Sequence, residues 1–134
     1  MGPSPESLDE EIPQLFRVNL PAKDFEKAAE LYIRLLTMTG KRVSSERHYF
    51  DCRGTILTCF DPRADADNFD LEPNPDHIYF AVSDLKGAHE RAVAAGAEIL
   101  DPVTARPWGE RSFYLQDPFG NKLCFVDQST KLTG

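Results

Sequence analysis

The chain has 134 residues, of which 41% are hydrophobic and 28% are charged, and its formal net charge at pH 7 is -7. This length suits one domain with a real core, and the composition is that of an ordinary globular protein. The acidic charge argues against nucleic acid as a partner, because affinity for a phosphate backbone comes from basic residues. No run of about 18 apolar residues occurs in the sequence, so no membrane partner is expected.

Residues 1–14 are predicted to form a flexible tail, because they are acidic and lack the basic start and apolar stretch of a signal peptide. The three cysteines, Cys52, Cys59 and Cys124, lie in or beside apolar runs without C-x-x-C spacing. This pattern favours buried free thiols in a reducing compartment. We therefore expect a cytoplasmic protein.

The first half of the chain, residues 15–60, predicts a strand, a helix and three further strands. Residues 15–22 alternate like a strand, and Asp24 then opens a helix that ends before Gly40. The helix has one apolar stripe, formed by Phe25, Ala28, Ala29, Tyr32, Leu35 and Leu36. Strands are predicted at 42–45, 49–52 and 55–60, with a turn at Arg53-Gly54.

Residues 61–76 are predicted to be a surface linker. The segment holds six acidic residues, three prolines and one basic residue, with no apolar period.

The pattern of the first half then repeats in residues 77–127. Arg17 and His77, and likewise Asp24 and Asp84, are 60 positions apart, and a second helix closes at Gly96. A strand at 97–100 and a hairpin at 111–126 follow. The chain is therefore predicted to have an α+β fold of two tandem βαβββ modules that form a curved mixed sheet, with residues 128–134 as a C-terminal tail.

Alternation along the strands predicts which side chains face away from the helices. If Val18, Leu20, Ile78, Phe80, Leu123 and Phe125 pack beneath the helices, then the opposite face carries Arg17, Asn19, His77, Tyr79 and Cys124. When the turns at Gly54 and Gly120 are aligned, Thr58 occupies the position in the first half that Cys124 has in the second. Thr58 is therefore expected on the same face. Tyr114 belongs to the hairpin, where either parity could face inward.

The hairpin carries a resemblance to a known family. Its order of Pro107-Trp108-Gly109, Arg111, Phe113 and Asp117-Pro118-Phe119-Gly120-Asn121 resembles the closing hairpin of the vicinal oxygen chelate superfamily. This superfamily includes glyoxalase I, ring-cleaving dioxygenases and bleomycin-resistance proteins, and the bleomycin-resistance branch is the most similar. The resemblance covers residues 15–127 and implies the glyoxalase/bleomycin-resistance/dioxygenase fold, with two modules in one domain.

The resemblance also implies where a metal would bind in the catalytic members. The four equivalent positions are occupied here by Arg17, Thr58, His77 and Cys124. Arg17 is a permanent cation, Thr58 is a poor ligand, and Cys124 stands where the family has Glu. Only His77 is a good ligand, so no metal or other cofactor is expected. His77 and Cys124 can equally be read as a hydrogen-bonded histidine and a small buried residue.

An aromatic from the Pro-Trp-Gly segment contributes to the drug-binding groove in the bleomycin-resistance relatives, which implies a ligand-binding role for Trp108. Its indole can stack on a planar ligand or a cation, with Tyr79 and Tyr114 extending the lining. Packing of Trp108 in the core is an equal alternative. Arg17 and Arg111 are expected to pair with carboxylates rather than with a ligand.

These features lead to a hypothesis of a metal-independent small-molecule-binding protein that resembles bleomycin-resistance proteins. Its partner would be a small planar molecule, cationic or neutral, and the resemblance implies a homodimer and a role in antibiotic resistance. The alternative is a metal-dependent enzyme, either a lyase or isomerase of glyoxalase type or a dioxygenase, that recruits ligands differently, for instance His77 with Glu110. A third possibility is a regulatory or structural member without a small ligand.

Overall fold

A computed structural model describes residues 12–64 and 72–133 of the chain. The predicted N-terminal tail therefore lies largely outside the described residues, as does the centre of the predicted linker at 61–76. The first module contains β1 (Arg17–Pro21), α1 (Phe25–Leu36), β2 (Lys41–Ser44), β3 (Arg47–Cys52) and β4 (Thr55–Phe60). The second contains β5 (Ile78–Val82), α2 (Leu85–Ala94), β6 (Glu98–Ala105), β7 (Arg111–Gln116) and β8 (Lys122–Asp127). Short 3-10 helices at Pro62–Ala64 and Gln128–Thr130 follow the modules.

Each module forms a four-stranded mixed sheet. The strand orders are β1-β4-β3-β2 and β5-β8-β7-β6. The pairs β1–β4 and β5–β8 are parallel, whereas the other pairs are antiparallel. This arrangement confirms the predicted α+β fold with two tandem βαβββ modules.

Both helices begin where the sequence predicts. The Asp24 side chain caps α1 by accepting a hydrogen bond from the Lys27 amide at 3.2 Å, and Asp84 caps α2 through the Gly87 amide at 3.0 Å. An aspartate at this position satisfies an amide that has no partner within the helix. The carboxylates thereby fix the helix starts.

Strand β6 is longer than the prediction of 97–100, because it continues through Pro102 to Ala105. Proline lacks an amide donor and normally interrupts a sheet, but β6 is an edge strand of its sheet, where a missing donor is tolerated. This extension brings Thr104 and Ala105 opposite Ser112 and Arg111 of β7.

One hydrophobic core joins the two modules. It contains α1, α2 and the helix-covered faces of both sheets, with Tyr32, Phe50, Phe113 and Phe125 among its largest buried side chains. The β7–β8 turn reaches the first module, since the Asn121 side-chain amide donates to the Pro21 carbonyl at 2.9 Å. Within the two described ranges, no helix is long and apolar enough to cross a membrane.

Candidate functional site

The face of the second sheet that is turned away from its helix carries three of the predicted site residues side by side. Cys124 of β8 lies between Tyr79 of β5 and Tyr114 of β7 in the strand register. Their neighbours Leu123 and Phe125 belong to the core. Alternation therefore directs Tyr79, Cys124 and Tyr114 to the face without helices, which we call the open face.

His77 extends this row just before β5. Its ring lies edge-on to Tyr114 with centroids 4.7 Å apart, and its centroid is 6.5 Å from that of Tyr79. Asp76 lies at one end of the cluster, with 3.2 Å between its Oδ1 and His77 Nδ1. We call His77, Tyr79 and Tyr114 the aromatic cluster. Tyr79 is 58% exposed, so the cluster presents a ring to solvent.

Arg106 completes the open face of this sheet, although no motif or spacing in the sequence selects it. Its Nε donates to Ser112 Oγ at 2.9 Å and its Nη2 to the Ser112 carbonyl at 3.0 Å. Its Nη1 contacts Asp101 Oδ2 at 2.7 Å, and the guanidinium carbon lies 4.7 Å from the Tyr114 ring centroid. The extension of β6 beyond its predicted end explains this position, because it places residue 106 at the start of the β6–β7 loop beside Ser112.

Cys124 is fully buried beneath these side chains. Burial raises the pKa of its thiol, an effect that a hydrogen bond from Ser112 partly opposes. A raised pKa keeps sulfur in the thiol form at neutral pH, whereas metal binding and nucleophilic attack need thiolate. Cys124 is therefore placed as a buried neutral group, next to Tyr79 and Tyr114.

Trp108 lies in the turn between β6 and β7 and is 52% exposed, so it is not packed in the core. Its indole N–H donates to Glu110 Oε1 at 2.8 Å, and Glu110 Oε2 accepts the Leu132 amide at 2.8 Å. These two hydrogen bonds, with the amide of Leu132 contributing most, lower the pKa of Glu110 and keep it ionised. Trp108 and Tyr79 line one cleft of about 470 Å³, together with Val126 and Leu132. We call it the aromatic cleft.

The remaining predicted residues lie on the open face of the first sheet. Thr58 pairs in register with Asn19 on one side and Tyr49 on the other. Arg17 Nη1 donates to the Tyr49 hydroxyl at 2.9 Å, so its partner is a phenol and not the expected carboxylate. The side chain of Thr58 is fully buried, and its Oγ1 has no hydrogen-bond partner.

The structure thus brings the predicted residues together in two sets. The aromatic cluster, Trp108 and Cys124 form the set on the second sheet, while Arg17, Asn19 and Thr58 form the set on the first sheet. In the part of the chain that the structure describes, no hydrogen bond, ion pair or ring contact joins the two sets. The two sets therefore remain separate groups of contacts, one on the open face of each sheet.

Comparison with known proteins assigns the family. The model of the Glyoxalase/Bleomycin resistance protein/Dioxygenase superfamily matches residues 14–125, which is most of the chain. The chain belongs to this superfamily. Among functionally curated proteins, no sequence is significantly similar to it.

Solved structures of superfamily proteins share the fold. A glyoxalase-related enzyme from Fulvimarina pelagi is 21% identical, with 92% of this chain and 94% of that chain covered and a TM-score of 0.78. A glyoxalase/bleomycin resistance protein from Albidiferax ferrireducens is 21% identical, with 83% and 95% covered and a TM-score of 0.71. Lactoylglutathione lyase from Agrobacterium tumefaciens is 22% identical, with 87% and 95% covered and a TM-score of 0.66. At these identities the likeness establishes the fold and not the activity.

The residues at the four positions where the family resemblance implies metal ligands do not fit a divalent cation. Arg17 is a permanent cation, Thr58 carries a neutral hydroxyl, and Cys124 is a buried thiol with a raised pKa. His77 alone is a good ligand. Within residues 12–64 and 72–133, no group of three His, Cys, Asp or Glu side chains is placed to hold a metal ion.

Proposed function

We propose that this superfamily member binds a small planar cation in the aromatic cleft and sequesters it without a metal, as bleomycin-resistance proteins hold their drug. The observation that carries the proposal is the pair of exposed rings, Tyr79 and Trp108, which line one cleft of about 470 Å³ beside the ionised carboxylate of Glu110. Ligand pockets usually enclose about 300–1,000 Å³, so the cleft has a suitable size.

Aromatic rings favour such a ligand for two reasons. Stacking on an aromatic ligand contributes about 0.5–1.5 kcal/mol beyond the burial of area, and a cation over the ring face gains further electrostatic energy. The site already holds a planar cation of its own, since the guanidinium of Arg106 lies 4.7 Å from the centroid of Tyr114. A ligand of the same shape and charge could use the exposed ring of Tyr79 in the same way.

Two carboxylates near the aromatic cleft and cluster, against one lysine in the lining of the cleft, Lys131, also support a cation. The pKa of Asp76 is lowered by hydrogen bonds from the backbone and side chain of His77, and that of Glu110 is lowered by Leu132 and Trp108. Both carboxylates are therefore negative at pH 7. The net charge of the chain, -7, would also favour the approach of a cation.

We also propose that two copies of the chain form the binding unit, in the cytoplasm. The two sets of site residues make no direct contact in the described part of the chain, and a groove shared between two copies would bring them together. Three free cysteines, Cys52, Cys59 and Cys124, support a reducing compartment. Sedimentation at micromolar protein tests the assembly, and a monomer at all concentrations would contradict it.

The binding proposal is tested by calorimetry with two ligands, bleomycin and the small planar cation proflavine. We expect Trp108→Ala and Tyr79→Ala each to weaken binding about threefold to tenfold, because each removes one stacking surface. Val93→Ala, at an exposed position on α2, is the matched control and should bind like the wild type. Absence of binding at high micromolar ligand, or equal binding by all four proteins, would reject the proposal.

A further inference from the structure

A second cleft lies between the two modules and shares three β5 residues, Tyr79, Phe80 and Ala81, with the aromatic cleft. Its volume is about 480 Å³, and its walls are mainly apolar. They include Val18, Met38 and Leu57 of the first module and Ile78, Phe80 and Phe125 of the second. We call it the inter-module cleft. Strand β5 borders both this cleft and the aromatic cleft, which otherwise have different walls.

Two arginines stand at the mouth of the inter-module cleft. Arg53 and Arg91 line the cleft, and both also line an adjoining polar depression that contains Lys131. The Nε of Arg91 is buried and has no hydrogen-bond partner. In the described part of the chain, neither guanidinium forms an ion pair, even though acidic residues outnumber basic ones by 22 to 15. A buried donor without a partner is costly, so this mouth is suited to an anion.

Two carboxylates lie near the mouth, and one oxygen of each is held by a backbone amide. Asp51 lines the cleft, but its Oδ1 accepts the Gly54 amide at 2.7 Å. Asp84 lines the polar depression, and its Oδ1 accepts the Gly87 amide as the cap of α2. Each carboxylate is thus held by a backbone amide of its own turn. Neither forms an ion pair with Arg53 or Arg91.

Backbone strain is concentrated at the same place. Thr37 and Arg53 have φ angles of 56° and 57°, and they are the only non-glycine residues with positive φ in the described ranges. Both line the inter-module cleft and the polar depression. Such conformations disfavour a β-branched or long side chain, and strained residues of this kind cluster at ligand sites. The Arg53-Gly54 turn would be less strained with Asn or Asp in the first position.

We propose that the inter-module cleft binds a small apolar carboxylic acid, with the apolar body between the modules and the carboxylate on Arg53 and Arg91. An apolar wall with two cations at one end matches an amphipathic anion in both shape and charge. Arginine suits this role because its planar guanidinium can donate two parallel hydrogen bonds to one carboxylate. This ligand differs in charge and shape from the planar cation of the aromatic cleft, although residues of β5 line both clefts.

Calorimetry with decanoate, below its micelle concentration, tests this site. Decanol is the matched neutral ligand. We expect decanoate to bind more tightly than decanol, and Arg53→Gln and Arg91→Gln each to weaken decanoate about tenfold while leaving decanol unchanged, because a hydrogen bond to a charged group is lost. Arg34→Gln, an exposed position on α1 outside the cleft, is the control and should not change affinity.

One further variant locates the ligand. Met38→Trp should fill the cleft and abolish binding of both decanoate and decanol. Arg53 lies in an exposed turn, so Arg53→Gln is interpretable even if Arg91→Gln fails to fold. Equal affinity for decanoate and decanol, unchanged binding in Arg53→Gln, or no binding by the wild type would overturn the proposal.

Discussion

The hydroxyl of Tyr32 on α1 donates a hydrogen bond of 2.7 Å to Oδ2 of Asp117, a residue 85 positions later in the β7–β8 turn. Both residues are buried. Asp117 also accepts the backbone amides of Phe119 and Asn121 and the side-chain amide of Asn121. One carboxylate therefore shapes the turn of the second module and attaches it to the helix of the first.

Tyr32→Phe should lower the free energy of unfolding by about 1.5–3 kcal/mol, since it removes a hydrogen bond to a buried carboxylate and leaves the ring in place. Tyr49→Phe is the matched control. It removes the hydroxyl that Arg17 contacts in an exposed setting, and should cost less than about 0.5 kcal/mol. Urea denaturation measures both values, and equal costs would show that the buried contact between Tyr32 and Asp117 stabilises the protein no more than the exposed one.

Burial, and then the charge of Asp117, raise the pKa of Tyr32 well above its ordinary value of 10.0. The stability from this shift is present below pH 10 and is lost as the pH rises towards the folded-state pKa, because the unfolded tyrosine releases its proton first. The wild type should therefore lose more stability above pH 10 than Tyr32→Phe. Parallel pH profiles in the two proteins would contradict this.

Arg106 connects β6 to β7 through an ion pair with the half-exposed Asp101 and hydrogen bonds to the buried Ser112. Its side chain is 9% exposed, whereas that of Asp101 is 45% exposed. Arg106→Gln should cost about 1–2 kcal/mol of stability because the buried Ser112 oxygens lose their donors. Asp101→Asn should cost less than half of that, since Arg106 keeps its hydrogen bonds to Ser112. Thermal unfolding measures the difference, and the exposed Arg63→Gln is the control, with an expected cost below about 0.5 kcal/mol.

The fold could be predicted from the sequence because the helix-capping residues and the alternation of side chains along the strands indicate the same elements. Asp24 and Asp84 mark both helix starts, and the strand at Thr55–Phe60 has the predicted bounds. The same period of two predicted that Tyr79 and Cys124 share a face, since they pair in register. These features depend on neighbours close in the chain, which composition and spacing can report.

The contacts that complete the candidate site depend on distant residues and were not predictable in this way. Arg17 binds Tyr49, 32 positions away, and no local pattern selects that phenol over the many carboxylates. Arg106 joins the site because β6 continues past Pro102, where the sequence pattern favours a break. Arg106 could have been selected as a charged site residue only if the end of the edge strand β6 had been known.

Trp108 is the only tryptophan in the chain, so its fluorescence reports on the aromatic cleft alone. The pKa of Glu110 is lowered from 4.5 by the Leu132 amide and the Trp108 indole. These contacts are present above pH 4.5 and are lost as the pH falls through the lower folded-state pKa. Trp108 emission should therefore change with a midpoint below pH 4.5. Glu110→Gln should remove this transition, and a midpoint at or above 4.5 would show that the carboxylate is not engaged.

The three thiols should differ in reactivity. Cys59 and Cys124 are buried, and Cys52 is partly exposed. Burial raises the pKa of all three, and the neighbouring Asp51 raises that of Cys52 further. With a disulfide reagent at pH 8, the native protein should release one equivalent slowly and three after unfolding. Cys52→Ser should abolish the native phase, and rapid reaction of Cys124 would contradict its placement.

Thr58 provides a prediction in the opposite direction, towards greater stability. Its Oγ1 is buried without a partner, which costs free energy that an apolar isostere avoids. Thr58→Val keeps the β-branched shape that strand β4 prefers and should raise the free energy of unfolding by about 1 kcal/mol.

Thr55→Val in the same strand is the matched control. Thr55 Oγ1 donates to the Leu15 carbonyl at 2.9 Å, so its loss should destabilise the protein by about 1 kcal/mol. Urea denaturation measures both changes. A loss of stability in Thr58→Val would mean that this hydroxyl has a partner in solution, such as water or a second copy of the chain.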